Sequence, residues 1–161
     1  MKPVHWVAVA ALTVVSVGAV ALTLRAAREG SPSIVHAGSL NWRDVTLGRE
    51  PLPSLPLPAA LLYVLPSCSH CAPAVRRFAA ETRGRALTRL VIAGSNARDV
   101  REYQDRLRLS EAIAIDSARS FARSAKVEWV PSLILVSADS TAWVAPVPAP
   151  ALIAHYLKQF R

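Results

Sequence analysis

The sequence predicts an α/β domain running from Leu61 to the C-terminus, and three observations carry that reading. Strand-length apolar runs alternate with amphipathic stretches in the order β-α-β-α-(short β)-α-β-β-α. The two cysteines of this 161-residue chain stand three apart, as Cys68-Ser69-His70-Cys71, between the first run and the first helical stretch. A Val130-Pro131 step directly precedes the apolar run Ser132 to Val136. No internal repeat is visible, and about 100 residues suffice for one hydrophobic core.

Leu61 to Leu65 reads as the first strand, closed by Pro66-Ser67, and Ala72 to Arg83 as the helix behind the cysteines. Ala86 to Ala93 is a second strand centred on Val91-Ile92-Ala93. Gly94-Ser95-Asn96 is a turn that offers an N-cap to a helix over Ala97 to Leu109, whose apolar face carries Val100, Tyr103 and Leu107. Ala112 to Ile115 is a short strand, and Asp116-Ser117 caps a helix from Ala118 to Ala125. Ser132 to Val136 and Thr141 to Ala145 form a hairpin around Ser137-Ala138-Asp139-Ser140. Pro150 to Phe160 closes the chain as an amphipathic helix. Gly30 to Asn41 is small and polar and reads as a linker, with a short strand expected over Trp42 to Leu47. Pro51 to Pro58 has proline at almost every second position, which suits a stiff extended lead-in rather than a hydrogen-bonded ladder.

Two cysteines placed at random fall three apart in about one case in eighty, so the spacing asks for a chemical reason. A strand that delivers Cys68 to a helix N-terminus places its sulfur where backbone N–H groups and the helix dipole favour a thiolate. Cys71, three residues on, shares the same helix face and can attack a mixed disulfide formed at Cys68. Cys68 is therefore the expected nucleophile and Cys71 the resolving thiol. His70 between them is either an imidazole that favours the Cys68 thiolate or a solvated loop histidine. A structural zinc site needs four closed ligands, and neither a second cysteine pair nor a spaced histidine pair exists among His5, His36 and His155. A disulfide across so short a loop removes little chain entropy, so it is a poor staple.

Trp6 to Leu24 is apolar or small throughout, and nineteen residues at about 1.5 Å each match the hydrocarbon thickness of a bilayer. It reads as a transmembrane anchor, with a cleavable signal peptide ending near Ala19-Val20-Ala21 as the rival. Either way the chain is membrane-targeted, and the cysteines lie outside the cytoplasm, on the periplasmic or cell-surface side, or in a secreted product. The expected organisation is an anchor or signal peptide over 1–25, a linker and proline-rich lead-in over 26–58, and the folded domain over 59–161. The chain carries 19 Lys and Arg against 11 Asp and Glu, a net charge of +8. Acidic residues interleave with the arginines between Arg98 and Arg108, as on a solvated helix face. Without aromatic interleaving or a recognised motif, this charge does not point to nucleic acid. An anionic membrane surface is the better secondary partner.

Leu61 to Phe160 resembles the membrane-anchored, extracytoplasmic thioredoxin-like proteins of the TlpA/ResA type. The resemblance rests on Cys68-Ser69-His70-Cys71, the Ile115-Asp116 step, Phe121 to Val127, and Val130-Pro131-Ser132 ahead of Leu133-Ile134-Leu135-Val136. It implies a thioredoxin-like fold, a central mixed sheet flanked by helices, with a cis Pro131 facing the cysteines and Val130 offering its backbone to a substrate strand. It implies a thiol:disulfide oxidoreductase without cofactor or metal. As expected partners the resemblance implies the thiols and disulfides of exported proteins, with a membrane electron-transfer protein as a further candidate, and the membrane itself through the N-terminal helix. The chain departs from that pattern in three places: Ser67 stands where tryptophan is common, and Leu62 and Ala74 stand where carboxylates occur, leaving His70 or water to take the Cys71 proton. The CxHC form resembles the DsbA-type oxidases, so the direction of electron flow stays open. Two other functions remain: a module that binds a soft metal such as Cu(I) through Cys68, Cys71 and His70, and a redox-inactive binding module.

Overall fold

The computed structural model describes residues 32–52 and 54–160. Along the chain run β1 (Ser33–His36), a 3-10 turn (Ala37–Ser39), β2 (Val45–Leu47), β3 (Glu50–Pro51), β4 (Ala59–Val64) and α1 (Cys71–Thr82). They are followed by β5 (Thr88–Ala93), α2 (Ala97–Leu107), β6 (Ile113–Asp116), α3 (Ser120–Ser124), β7 (Ser132–Val136), β8 (Thr141–Pro146) and α4 (Ala151–Gln159). The strands form one mixed sheet in the order β1-β8-β7-β4-β5-β6-β2-β3. β4 runs parallel to β5 and antiparallel to β7, with Leu62 opposite both Val91 and Leu133.

β4 lies inside the sheet and is covered on both faces, which is why it reads as an unbroken apolar run. Its side chains alternate between two cores. Ala60, Leu62 and Val64 pack with Cys71, Ala74, Val75 and Phe78 of α1 and with Ile153 and Leu157 of α4. Ala59, Leu61 and Tyr63 pack on the other face with Val45, Phe121 and Ala125. Complete burial of a side chain such as Phe78 or Leu62 stabilises the fold by about 1.5–3 kcal/mol.

The caps explain the helix limits. The Asn96 side chain accepts from Asp99 N at 2.9 Å and starts α2 where the turn predicts it. The Asp116 carboxylate passes over Ser117 and Ala118 to accept from Phe121 N and Ala122 N at 3.3 and 3.0 Å. α3 therefore begins at Ser120, after a left-handed Arg119, rather than at the expected Ala118. In the β7–β8 hairpin Ser137 N donates to Thr141 O at 2.9 Å, as the turn residues predict. Hydrogen bonds from Ser137 and Thr141 hold the exposed Asp139 carboxyl below the usual carboxylate range.

The stretch read as a linker is structured. Ser33–His36 pairs antiparallel with β8, Val35 opposite Ala142, and buries Val35 while leaving Ile34 70% exposed. The strand expected over Trp42 to Leu47 narrows to β2, which pairs with β6. The proline-rich run begins as β3 and then lays Leu52 and Leu55 against the second core. These three strands extend the sheet ahead of the expected domain start at 59. The apolar stretch Trp6 to Leu24 lies outside the described residues, among which no helix is long and apolar enough to cross a membrane.

Candidate redox site

β4 ends at Val64, and Pro66, which has no N–H to donate, follows the strand. The chain then takes two tight turns: Cys68 N donates to Leu65 O at 3.0 Å and Cys71 N donates to Cys68 O at 3.2 Å. α1 starts at Cys71, so Cys68 occupies the turn leading into the helix rather than its first turn. Pro73 falls in that first turn, where a missing N–H costs nothing. Cys68 and Cys71 are joined as a disulfide, with Cα atoms 5.4 Å apart. Cys71 is 0% exposed within the apolar core, and Cys68 is only partly covered. The asymmetry leaves Cys68 as the sulfur within reach of another molecule.

The loop before β7 faces the pair. The Val130–Pro131 peptide bond is cis, and Val130 O lies 3.8 Å from Cys68 Sγ. Pro131 is buried, and its carbonyl accepts from Val147 N at 2.8 Å. Ser132 Oγ donates to Trp129 O at 2.6 Å, which fixes the approach to the turn. The structure thus brings Cys68, Val130 and Pro131 together, with Cys71 beneath. His70 sits on the exposed rim, immediately before α1, and its side chain makes no capping bond.

Leu62 and Ala74 are both fully buried in the core that contains Cys71. The domain does bury a carboxylate, but on the other face of the sheet. Asp116 is 0% exposed and accepts from Tyr63 Oη at 3.1 Å and Ser120 Oγ at 3.4 Å besides the two α3 amides. Burial, reinforced by the adjacent Asp116 charge, pushes the Tyr63 hydroxyl above the ordinary tyrosine range. Asp116 is thus committed to α3 and Tyr63, on the face away from Cys71.

Two neighbours of the site escape sequence reasoning. Arg106, one of the arginines assigned to a solvated helix face, donates from Nη2 to Pro66 O at 3.3 Å and lies over the Tyr103 ring at 6.0 Å from its centre. Arg76 reciprocally donates from α1 to Leu107 O at 3.0 Å, so two guanidinium groups tie α2 to α1 and to the loop before the cysteines. Tyr103 itself is buried, its hydroxyl has no hydrogen-bond partner among the described residues, and burial pushes it up against the opposing pull of Arg106 and Arg76. Trp129 is 48% exposed beside Val130. No local pattern marks either Arg106 or Trp129, because their placement depends on chain segments far apart. Among the described residues no group of three or more His, Cys, Asp and Glu side chains is placed to hold a metal ion.

The structure is similar to that of a secreted Mycobacterium tuberculosis disulfide oxidoreductase homologous to E. coli DsbE, at 21% identity over 63% of this chain and 81% of that one, with a TM-score of 0.51. The fold of this chain is thioredoxin-like. StoA from Bacillus subtilis is similar over 81% of this chain and 98% of its own, at 14% identity and a TM-score of 0.54. The exposed lipoprotein thioredoxin Etrx1 of Streptococcus pneumoniae strain TIGR4 is similar at 15% identity and a TM-score of 0.53, over 63% of this chain and 83% of that one. No protein-family model matches the sequence, and no curated protein is significantly similar to it.

Proposed function

We propose that the chain is an extracytoplasmic thiol:disulfide oxidoreductase that exchanges disulfides with exported proteins through Cys68 and Cys71. The observation that carries this reading is the pair itself: a disulfide with one buried and one accessible sulfur, facing the Val130 carbonyl on the cis-proline loop. In the oxidising direction a substrate thiolate attacks Cys68 Sγ, the Cys68–Cys71 bond breaks, and Cys71 leaves as the thiolate. A second substrate thiolate then attacks the substrate sulfur of the mixed disulfide. The substrate leaves oxidised, and two electrons remain on the Cys68–Cys71 dithiol. The reducing direction retraces these steps: Cys68 attacks a substrate disulfide, and Cys71 then attacks Cys68 Sγ and releases the reduced substrate. The proton exchanged at Cys71 passes to water or to His70, since Leu62 and Ala74 offer no carboxylate.

His70 favours the reduced, thiolate form of Cys68 and makes the disulfide more oxidising. The N-terminal apolar stretch and the extracytoplasmic character of two of the similar proteins, one secreted and one an exposed lipoprotein, support the compartment. A membrane redox protein restores the pair between turnovers. The test uses the full chain with a disulfide-bonded protein and with its reduced form. Cys71→Ser should accumulate a mixed disulfide through Cys68, and Cys68→Ser should accumulate none. Trapping through Cys71 would reverse the assigned roles, and exchange no faster than the glutathione background would reject the activity.

A further inference from the structure

Among the described residues four large apolar side chains are markedly exposed: Ile34, Leu47, Leu57 and Trp129. Ile34 lies on edge strand β1, Leu47 on β2, and Leu57 ahead of β4, at the end of that strand away from the cysteines. Trp129 alone adjoins the disulfide, one residue from the carbonyl that lies 3.8 Å from Cys68 Sγ. Its backbone is tied to the sheet, because its own carbonyl accepts from the hydroxyl of Ser132, a buried residue of β7. The loop that carries Cys68 exposes Ser67, Ser69 and His70, which are small or polar. Of the residues next to Cys68 in the chain, or next to the Val130 carbonyl that faces it, Trp129 is the one that exposes a large apolar side chain.

We infer that Trp129 selects the substrate by packing against a large apolar or aromatic residue within two or three positions of the substrate cysteine. This rests on the oxidoreductase reading above and specifies its substrate class. Folded proteins bury such residues, so cysteines flanked by them are accessible mainly in unfolded or newly exported chains. Small thiols such as glutathione carry no group for the indole to cover. Selection thus acts in the approach to Cys68, while the sulfur chemistry stays the same for every substrate.

The test compares exchange rates of the full chain with two peptide disulfides that differ only in whether Phe or Ser flanks the cysteine, and with oxidised glutathione. Wild type should prefer the Phe peptide by about tenfold, as expected from covering part of an indole face. Trp129→Ala should bring that ratio near one and leave the glutathione rate unchanged, and Trp129→Phe should keep most of the preference. An unaltered ratio in Trp129→Ala, a wild type without preference, or a glutathione rate that falls in parallel would overturn the inference. Absence of exchange with all three probes would instead reject the oxidoreductase reading, and this inference with it.

Discussion

Replacing Asp116 by alanine should destabilise the domain by about 3 kcal/mol. The carboxylate caps α3 through Phe121 N and Ala122 N at 3.3 and 3.0 Å, and loss of such a cap costs about 1–2 kcal/mol. It also receives the Tyr63 hydroxyl at 3.1 Å, and stranding that hydroxyl in the core adds about 1–3 kcal/mol. Relief of the carboxylate's own desolvation offsets part of this. For a domain of this size the net loss lowers Tm by roughly 10 °C. Urea unfolding of the oxidised protein, followed by far-UV circular dichroism, should show a lower midpoint at an unchanged m-value. Asp116→Asn keeps an acceptor and should cost less than the alanine variant. The decisive comparison is the same substitution in a Tyr63→Phe background, where no hydroxyl is left to strand and the loss should shrink to the capping share, about 1–2 kcal/mol. A loss under about 1 kcal/mol in wild type, or an equal loss in both backgrounds, would refute the account.

Because the Tyr63 hydroxyl titrates above its ordinary value of 10.0, its contribution is complete below about pH 10 and is lost as the unfolded chain ionises first at higher pH. Stability should therefore fall more steeply between pH 10 and 11 in wild type than in Tyr63→Phe, and parallel curves would contradict the assignment. A Cβ on Gly94 would overlap the Tyr63 hydroxyl and sit 3.0 Å from Leu65 Cδ2. Gly94→Ala should accordingly cost about 1–3 kcal/mol in denaturant unfolding, and a neutral result would mean that Tyr63 moves aside freely. Arg106→Ala removes the bond to Pro66 O and should speed amide hydrogen exchange at Cys68 by about five- to tenfold, whereas an unchanged rate would show that the loop holds itself. His70→Ala should lower the reduction potential of the cysteine pair by about 30 mV, read by equilibration against glutathione, and an unmoved potential would return His70 to the status of a solvated rim residue.

What could be read in advance followed from how local each signal is. The β7–β8 hairpin was legible because Leu133 to Val136, Thr141 to Ala145 and the intervening turn residues each state their conformation within a few positions. The cysteine pair and Val130-Pro131 were legible because spacing and proline chemistry are local too. The strands before β4 were hidden for the opposite reason. They are four, three and two residues long, and Val35 finds its partner only at Ala142. The start of α3 was misplaced because Asp116 caps it by reaching five and six residues ahead, past a left-handed Arg119. Arg106 and Trp129 gain their places at the site only when α2 and the β7 loop are folded onto the end of β4.

The turn that covers Cys68 has an implication for the order in which the molecule becomes competent. The sulfur and the carbonyl facing it are 62 residues apart, and β7 must pair with β4 before the two can meet. A chain delivered from its N-terminus therefore presents Cys68 and Cys71 well before their cover exists. During that interval both thiols are open to any thiol-reactive molecule they meet, including a second copy of the same chain. Docking of β7 onto β4 ends that exposure, so the step that joins these two strands also leaves one sulfur buried and one partly accessible.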